Sequence, residues 1–238
     1  MLFTRLLQRL AAFELPTQCA VCHDWGPERV CCACRERFIA AVPRCRRCAL
    51  RVPEGVSTCA GCLKDPPPYD TTLAVMDYAH PWDHLIGRFK FHAALDLTQS
   101  LAKGLADAWQ ASRLPHPGRL IPAPLSARRL RERGYNQSLE IARRLGRRLD
   151  CRVDDRLLLR VIDTPHQLAL PPERRAANVQ GVFAVEPKRL AELRDQVVTV
   201  LDDVMTTGAT AAEMARVLRR GGAAQVNVWV LARTPAPE

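Results

Sequence analysis

The run Val197-Val-Thr-Val-Leu-Asp-Asp-Val-Met-Thr-Thr-Gly-Ala-Thr210 decides the fold. Val197 to Leu201 is continuously apolar apart from Thr199, the pattern of a strand covered on both faces. That strand carries two adjacent carboxylates, Asp202 and Asp203, to its C-terminal end, the edge at which open α/β sheets bind ligands. The loop beyond holds three hydroxyls (Thr206, Thr207 and Thr210) with Gly208 and Ala209. A helix over 211–220, stopped by Gly221-Gly222, and a strand over 225–231 then complete a parallel strand–helix–strand unit. Backbone N–H groups at a helix start bind anions, threonine hydroxyls add donors, and Gly208 lets the backbone come close. Carboxylates beside an anion site make electrostatic sense once a sugar lies between them. Ribose hydroxyls would donate to Asp202 and Asp203 while a 5′-phosphate sits in the threonine loop. A capped helix alone explains one or two of these residues and leaves the rest of the run unexplained. The chain has no Gly-Lys dipeptide and no GxGxxG, which excludes the commonest nucleotide loops.

Working outward, Leu73–Tyr78 reads as a strand, and Leu97, Leu101, Leu105 and Trp109 mark one face of a helix. Arg119-Leu-Ile-Pro122 is a short strand ending in prolines, and Leu139, Ala142, Leu145 and Leu149 repeat at helical spacing. The fold class expected is α/β, built on a parallel sheet. After Ala123, Pro124 and Leu125 the chain gives Arg128, Arg129, Arg131 and Arg133 in quick succession. Read as a loop at the same sheet edge, this run would grip a pyrophosphate; read alone, it is equally a solvated basic helix face. Gly134-Tyr-Asn-Gln137 breaks the run and leads into the next helix. Asp163-Thr-Pro-His-Gln through Glu173-Arg-Arg-Ala-Ala-Asn-Val179 is polar and proline-bearing, as a lid loop would be.

Nine of the ten cysteines lie between Cys19 and Cys62. They form four CxxC pairs, Cys19/Cys22, Cys31/Cys34, Cys45/Cys48 and Cys59/Cys62, and a two-residue gap lets both sulfurs reach one tetrahedral zinc ion. Eight thiolates can complete two structural four-cysteine sites, for one or two zinc ions in all, with neighbouring or interleaved pairing both open. Cys32 is the spare, and His23 is an alternative ligand. Residues 19–62 have few large apolar side chains, so metal rather than a hydrophobic core must hold them. Lys64-Asp-Pro-Pro-Pro-Tyr69 is a stiff connector. It divides an N-terminal helix and zinc-ribbon-like module, 1–65, from a larger domain, 69–238.

The 238 residues carry 35 basic and 25 acidic side chains, a formal charge of +10, and all but four of the basic ones are arginine. Arginine forks match phosphate, although a GC-rich genome produces the same bias. Residues 128–148 hold eight arginines against two glutamates, a local net of +6. No apolar stretch is long enough for a transmembrane span, and the start MLFTRLLQRLAAFELP is not a signal peptide. Clustered cysteines without a signal point to the reducing cytoplasm. Phe3, Leu6, Leu7, Leu10 and Phe13 share one helical face, suited to docking on the protein itself or lying at the inner face of a membrane.

The CxxC pairs, the RGYNQ run at Arg133–Gln137, the TPHQ…ERRAANV segment and VLDDVMTTGAT at Val200–Thr210 together resemble the ComF family. These are competence-associated proteins with a type I phosphoribosyltransferase domain, and the likeness spans nearly the whole chain. It implies a parallel sheet with a smaller hood and a site for 5-phosphoribosyl-1-pyrophosphate (PRPP) brought with Mg²⁺. Asp202 and Asp203 would meet the ribose hydroxyls, and Thr206, Thr207, Gly208, Ala209 and Thr210 the 5′-phosphate. Ala123, Pro124 and Leu125 would form the pyrophosphate loop, assisted by Arg128 or Arg129, with Arg133 beside them. Single-stranded DNA and the DNA-uptake machinery are the partners implied, with Tyr135, Trp82, Phe89 and Phe91 as candidate base-stacking rings. Two further readings stand beside this one: an active phosphoribosyltransferase in nucleotide salvage, and a structural zinc adaptor with a vestigial pocket.

Overall fold

A computed structural model describes residues 16–163 and 180–236. The amphipathic stretch over 2–13 and the lid segment from Thr164 to Val179 lie outside the described residues. The chain divides into two compact units, one within Met1–Ala40 and one within Ala41–Glu238. The second cysteine group therefore belongs to the larger unit, N-terminal to the 64–69 connector.

In the smaller unit two short strands, β1 (Thr17–Gln18) and β2 (Trp25–Gly26), pair antiparallel, and helix α1 (Cys32–Phe38) follows. Among its described residues, Cys19, Val30 and Cys34 are buried. An ion pair between Arg35 and Glu28 braces its surface.

The larger unit begins with the Cys45–Cys48 turn and the short helix α2 (Ala60–Lys64), then enters an α/β array. Its elements in order are β3 (Thr71–Asp77), α3 (Trp82–Phe91), α4 (Thr98–Ser112), β4 (Arg119–Pro122), α5 (Ala127–Arg133) and α6 (Gln137–Leu149). A two-stranded antiparallel pair comes next, β5 (Leu158–Arg160) with β6 (Phe183–Val185). The decisive run closes the chain as β7 (Val197–Met205), α7 (Ala209–Arg220) and β8 (Gln225–Arg233). Strands β3, β8, β7 and β4 lie in that order in one all-parallel sheet. The parallel α/β class expected from the sequence is the class observed.

Strand residues alternate between faces, and the register shows which layer each face meets. Val226, Val228 and Val230 of β8 join Val198 and Val200 of β7 in one core with Met214, Ala215 and Leu218 of α7. Trp229, one position out of phase, points the other way and packs on Trp109 of α4, ring centroids 6.2 Å apart. The sheet is thus sandwiched, with α7 on one face and α4 on the other. Thr199, the lone polar residue in the apolar run, is buried and donates to the Pro117 carbonyl at 2.6 Å, so its hydroxyl is satisfied.

Two expectations need correction. Strand β7 continues to Met205 instead of stopping at Leu201, because its ladder with β8 persists through Val204 and Met205. The arginine run is a helix rather than a loop. Ser126 caps it by accepting from the Arg129 backbone N–H, and Gly134 ends it at φ 82°.

Candidate functional site

The C-terminal ends of β4 and β7 open into a cleft of about 210 Å³. Asp202 and Asp203 form its floor at one side. Ala123, Pro124 and Leu125 line it where β4 ends, where the Ala123 N–H continues the ladder to Leu201 O at 2.8 Å. Asn136 holds this loop in place. Its side-chain oxygen caps α6 by accepting from the Ser138 and Leu139 N–H groups, while its Nδ2 donates to the Ala123 carbonyl at 3.0 Å. The RGYNQ run thus serves as a hinge that fixes the loop after β4 to the helix beside it.

Making the arginine run helical sorts its side chains. Arg129 and Arg133, four residues apart on one face, line the cleft. Arg128 turns away, pairing with Asp163 at 2.8 Å and with Glu132 at 3.0 Å. Of the two candidates for assisting the pyrophosphate loop, Arg129 is the one at the cleft.

The two carboxylates have different surroundings. Asp203 is 3% exposed, receives Lys90 Nζ on one oxygen at 2.9 Å and accepts from Gln137 Nε2 on the other at 2.8 Å. Asp202 accepts from the Asp203 backbone N–H at 2.9 Å and from the Ser138 hydroxyl at 3.4 Å. Burial, followed by the charge of Asp203, pushes Asp202 up to about 7, against the pull of Lys90. Two carboxylates this close in one low-dielectric corner cannot both ionise cheaply. The site consequently favours a ligand that brings hydroxyl donors or a cation to them.

The threonine loop divides between two spaces. Thr206 and Thr210 line the cleft, while Gly208 and Ala209 line a smaller adjoining hollow with Asp202, Thr206 and Thr210. Thr207 is exposed and uses its hydroxyl to accept from the Ala209 N–H at 3.3 Å. Gly208 has φ +84°, and a Cβ there would lie 3.2 Å from the Tyr69 hydroxyl. The position therefore calls for glycine on both conformational and spatial grounds.

Lys90, Arg160, Phe183 and Tyr78 line the cleft without having been singled out from the sequence. Lys90 follows the buried Phe89 on an ordinary amphipathic helix, and Arg160 and Phe183 come from the β5–β6 pair, with the Arg160 guanidinium 5.5 Å from the Phe183 ring centre. Nothing local distinguished them. Of the candidate stacking rings, Trp82 and Phe89 are core residues, and Tyr135 packs on Phe89 and donates to its carbonyl. Phe91 is 58% exposed and carries the Arg133 guanidinium 5.3 Å from its ring centre, so it is the ring accessible for stacking.

The cysteines group as neighbouring pairs: Cys19, Cys22, Cys31 and Cys34 in one cluster, and Cys45, Cys48, Cys59 and Cys62 in the other. Within each cluster all four sulfurs lie within 4.8 Å of one another. Cys22 and Cys31 stand 3.7 Å apart, and Cys48 and Cys59 3.6 Å. Zinc–sulfur bonds of ~2.3 Å in a tetrahedron place sulfurs roughly 3.8 Å apart, so both clusters fit the ion, and these spacings are far too long for disulfides. Backbone N–H groups of Cys31 and Cys59 donate to the sulfurs of Cys19 and Cys45, the contacts that support a thiolate. The thiols of Cys34 and Cys62 are pushed up by burial and by their neighbours' sulfurs, a repulsion that a cation would relieve. Cys32 and His23 stand outside both groups. Each site would be structural, since four protein ligands leave no position for substrate.

No protein-family model matches the chain. Among curated proteins it is 33% identical to DNA utilization protein YhgH of Salmonella typhi over 230 residues, 92% of this chain and 98% of that protein. It is 32% identical to the protein of the same name in Escherichia coli K12 with the same coverage. To competence protein F of Haemophilus influenzae it is 32% identical over 208 residues, 86% of this chain and 90% of that one. Among solved structures it is similar to a Trypanosoma cruzi hypoxanthine phosphoribosyl transferase (14% identity, 60% of this chain, 74% of that chain, TM-score 0.36). It is also similar to a glutamine PRPP amidotransferase from B. subtilis (17% identity, 56% of this chain, 25% of that chain, TM-score 0.35). Superpositions this loose carry no functional weight. The near-full-length identity to the curated proteins does: the chain belongs to the competence protein F (ComF) family.

Proposed function

We propose that this protein binds Mg²⁺–PRPP in the cleft at the sheet edge and takes part in the handling of single-stranded DNA during its uptake. One observation carries the first half. Asp202 and Asp203 share one cleft with Lys90, Arg129 and Arg133, and Thr206 and Thr210 of the threonine loop also line it. A ligand matching that arrangement has hydroxyls in its middle and phosphates at both ends. The ribose hydroxyls donate to the carboxylates, the 5′-phosphate meets the backbone N–H groups and hydroxyls of the 206–210 loop, and the pyrophosphate meets Arg129 and Arg133. Lys90 stands 2.9 Å from Asp203. An arriving pyrophosphate competes for that ammonium and frees the carboxylate oxygen for a ribose hydroxyl. Mg²⁺, carried mainly by the ligand's own oxygens, offsets the charge between pyrophosphate and carboxylates.

The names of the curated relatives support the second half, as does a basic surface well placed to use it. Helix α6 buries Ile141, Ala142 and Leu145 and exposes Arg143, Arg147 and Arg148. Guanidinium groups in such a row suit a phosphate backbone without reading its sequence.

Calorimetric titration of Mg²⁺–PRPP into the zinc-loaded protein tests the cleft. Binding is expected for the wild type and is lost in Asp202→Ala/Asp203→Ala with the fold intact. Absence of binding in the wild type, or equal binding by the variant, contradicts the assignment. A stability measurement tests the state of Asp202. Its folded pKa of about 7 lies above the ordinary 3.8, so the folded protein holds an extra proton between those values and loses stability as pH rises through that window. Asp202→Asn is therefore expected to be more stable than wild type by about 1–2 kcal/mol above pH 7, with the difference vanishing below pH 4, in denaturant melts across pH. For DNA, the affinity of a single-stranded oligonucleotide is expected to fall linearly in log–log form with salt. Arg143→Ala/Arg147→Ala/Arg148→Ala should lower the slope by about 2. A salt-independent affinity would contradict the phosphate-backbone reading.

A further inference from the structure

The second cysteine cluster and the threonine loop are joined through one buried side chain. Arg233, the last residue of β8, is 6% exposed. Its Nε donates to the Cys48 carbonyl at 2.8 Å. Its Nη1 donates to the Met205 carbonyl at 3.1 Å, to the Thr206 carbonyl and to the Thr234 carbonyl at 2.8 Å. One guanidinium thus holds the backbone of a cysteine ligand at one end and the first residue of the proposed phosphate loop at the other.

A second connection runs in parallel. Tyr69 is 3% exposed, and its hydroxyl lies directly against Gly208 of the loop. Its carbonyl accepts from the Arg47 guanidinium at 2.8 Å, and Arg47 sits between Cys45 and Cys48 in the metal-binding turn. The same turn is tied to the sheet, because Thr72 donates its N–H to the Arg46 carbonyl at 2.8 Å and its hydroxyl to the Arg47 carbonyl at 2.5 Å.

We propose that Arg233 is a positioning residue through which metal occupancy of the Cys45/Cys48/Cys59/Cys62 cluster sets the shape, and hence the affinity, of the 206–210 loop. A buried guanidinium whose acceptors are backbone carbonyls has no solvent to turn to when one acceptor moves. With zinc bound, the Cys48 sulfur is fixed, its carbonyl is fixed, and Arg233 holds Met205 and Thr206 in one arrangement. With zinc gone, the Cys45–Cys48 turn is free to relax and the loop loses that restraint. The Cys19/Cys22/Cys31/Cys34 cluster belongs to the other compact unit. The functional side of the proposal rests on the reading of the cleft as a PRPP site.

Coupling of this kind is reciprocal, so ligand in the cleft must tighten zinc in the second cluster by the factor with which zinc tightens the ligand. The experiment uses the full chain carrying Cys31→Ser/Cys34→Ser, which leaves only the second cluster to hold metal. Zinc affinity is measured by equilibrium competition with a zinc-selective chelator, with and without saturating Mg²⁺–PRPP. A rise of roughly tenfold is expected, the fold-change of one well-placed charged hydrogen bond. In Arg233→Lys, which keeps the charge but loses the fork, both ligands still bind and the rise shrinks to less than twofold. Zinc affinity unmoved by bound PRPP, or a rise undiminished in Arg233→Lys, overturns the proposal. If calorimetry shows that PRPP does not bind the zinc-loaded protein at all, the cleft reading has failed. Hydrogen exchange over 205–210 then decides the link by itself: faster exchange on removing zinc from the second cluster supports it, and unchanged exchange overturns it.

Discussion

Asp202 and Asp203 follow one another at the end of a strand whose preceding residues are packed on both faces, and that adjacency governs the surrounding structure. Two negative charges at neighbouring positions in a low-dielectric corner repel, and each must be compensated within a few ångströms. The chain meets the demand unequally. Asp203 receives an ammonium and an amide, and Asp202 keeps weaker partners and a proton affinity near neutrality. Such a pair is a poor way to stabilise a sheet, and stability alone would replace it. It is a good way to hold a polyhydroxylated, metal-bearing anion, because both compensating groups can be supplied by the ligand.

Much of this was legible in the sequence because the residues involved are neighbours in the chain. The apolar run before Asp202 specifies a buried parallel strand, and Gly208 with its flanking threonines specifies the turn into α7. The CxxC spacing specifies tetrahedral thiolate sites, although choosing neighbouring over interleaved pairs required coordinates. Asn136 was recognisable as a break in the arginine run, but its second role in gripping the Ala123 carbonyl depends on where β4 ends. Lys90 and Arg160 were invisible for the same reason in another form. They lie 113 and 43 residues from Asp203 in the chain, on segments with their own local explanations, and tertiary packing alone brings them to the cleft. The arginines of α5 left loop and helix face both open because four arginines in six positions carry no apolar periodicity; the Ser126 cap and the Gly134 stop carry the helical signal.

The two four-cysteine clusters occupy different places in this architecture. The first lies in the smaller unit, whose described residues bury little apolar surface, so a metal there would supply what a core does not. The second is built against the sheet, with Arg44 and Arg51 paired to Asp77 of β3 and Arg233 reaching back from β8. Prolines at 66–68 separate this cluster from β3 in the chain, and the Arg44–Asp77 pair and the Arg233–Cys48 hydrogen bond tie the two sides together.

The most direct test of the central claim is a crystal structure of the zinc-loaded protein with Mg²⁺–PRPP bound. The account predicts ribose hydroxyls on Asp202 and Asp203, the 5′-phosphate against the backbone of Thr206–Thr210, and Lys90 moved from Asp203 toward the pyrophosphate. A ligand bound away from the β7 carboxylates, or seated there with the Lys90–Asp203 pair undisturbed and the threonine loop empty, would contradict it.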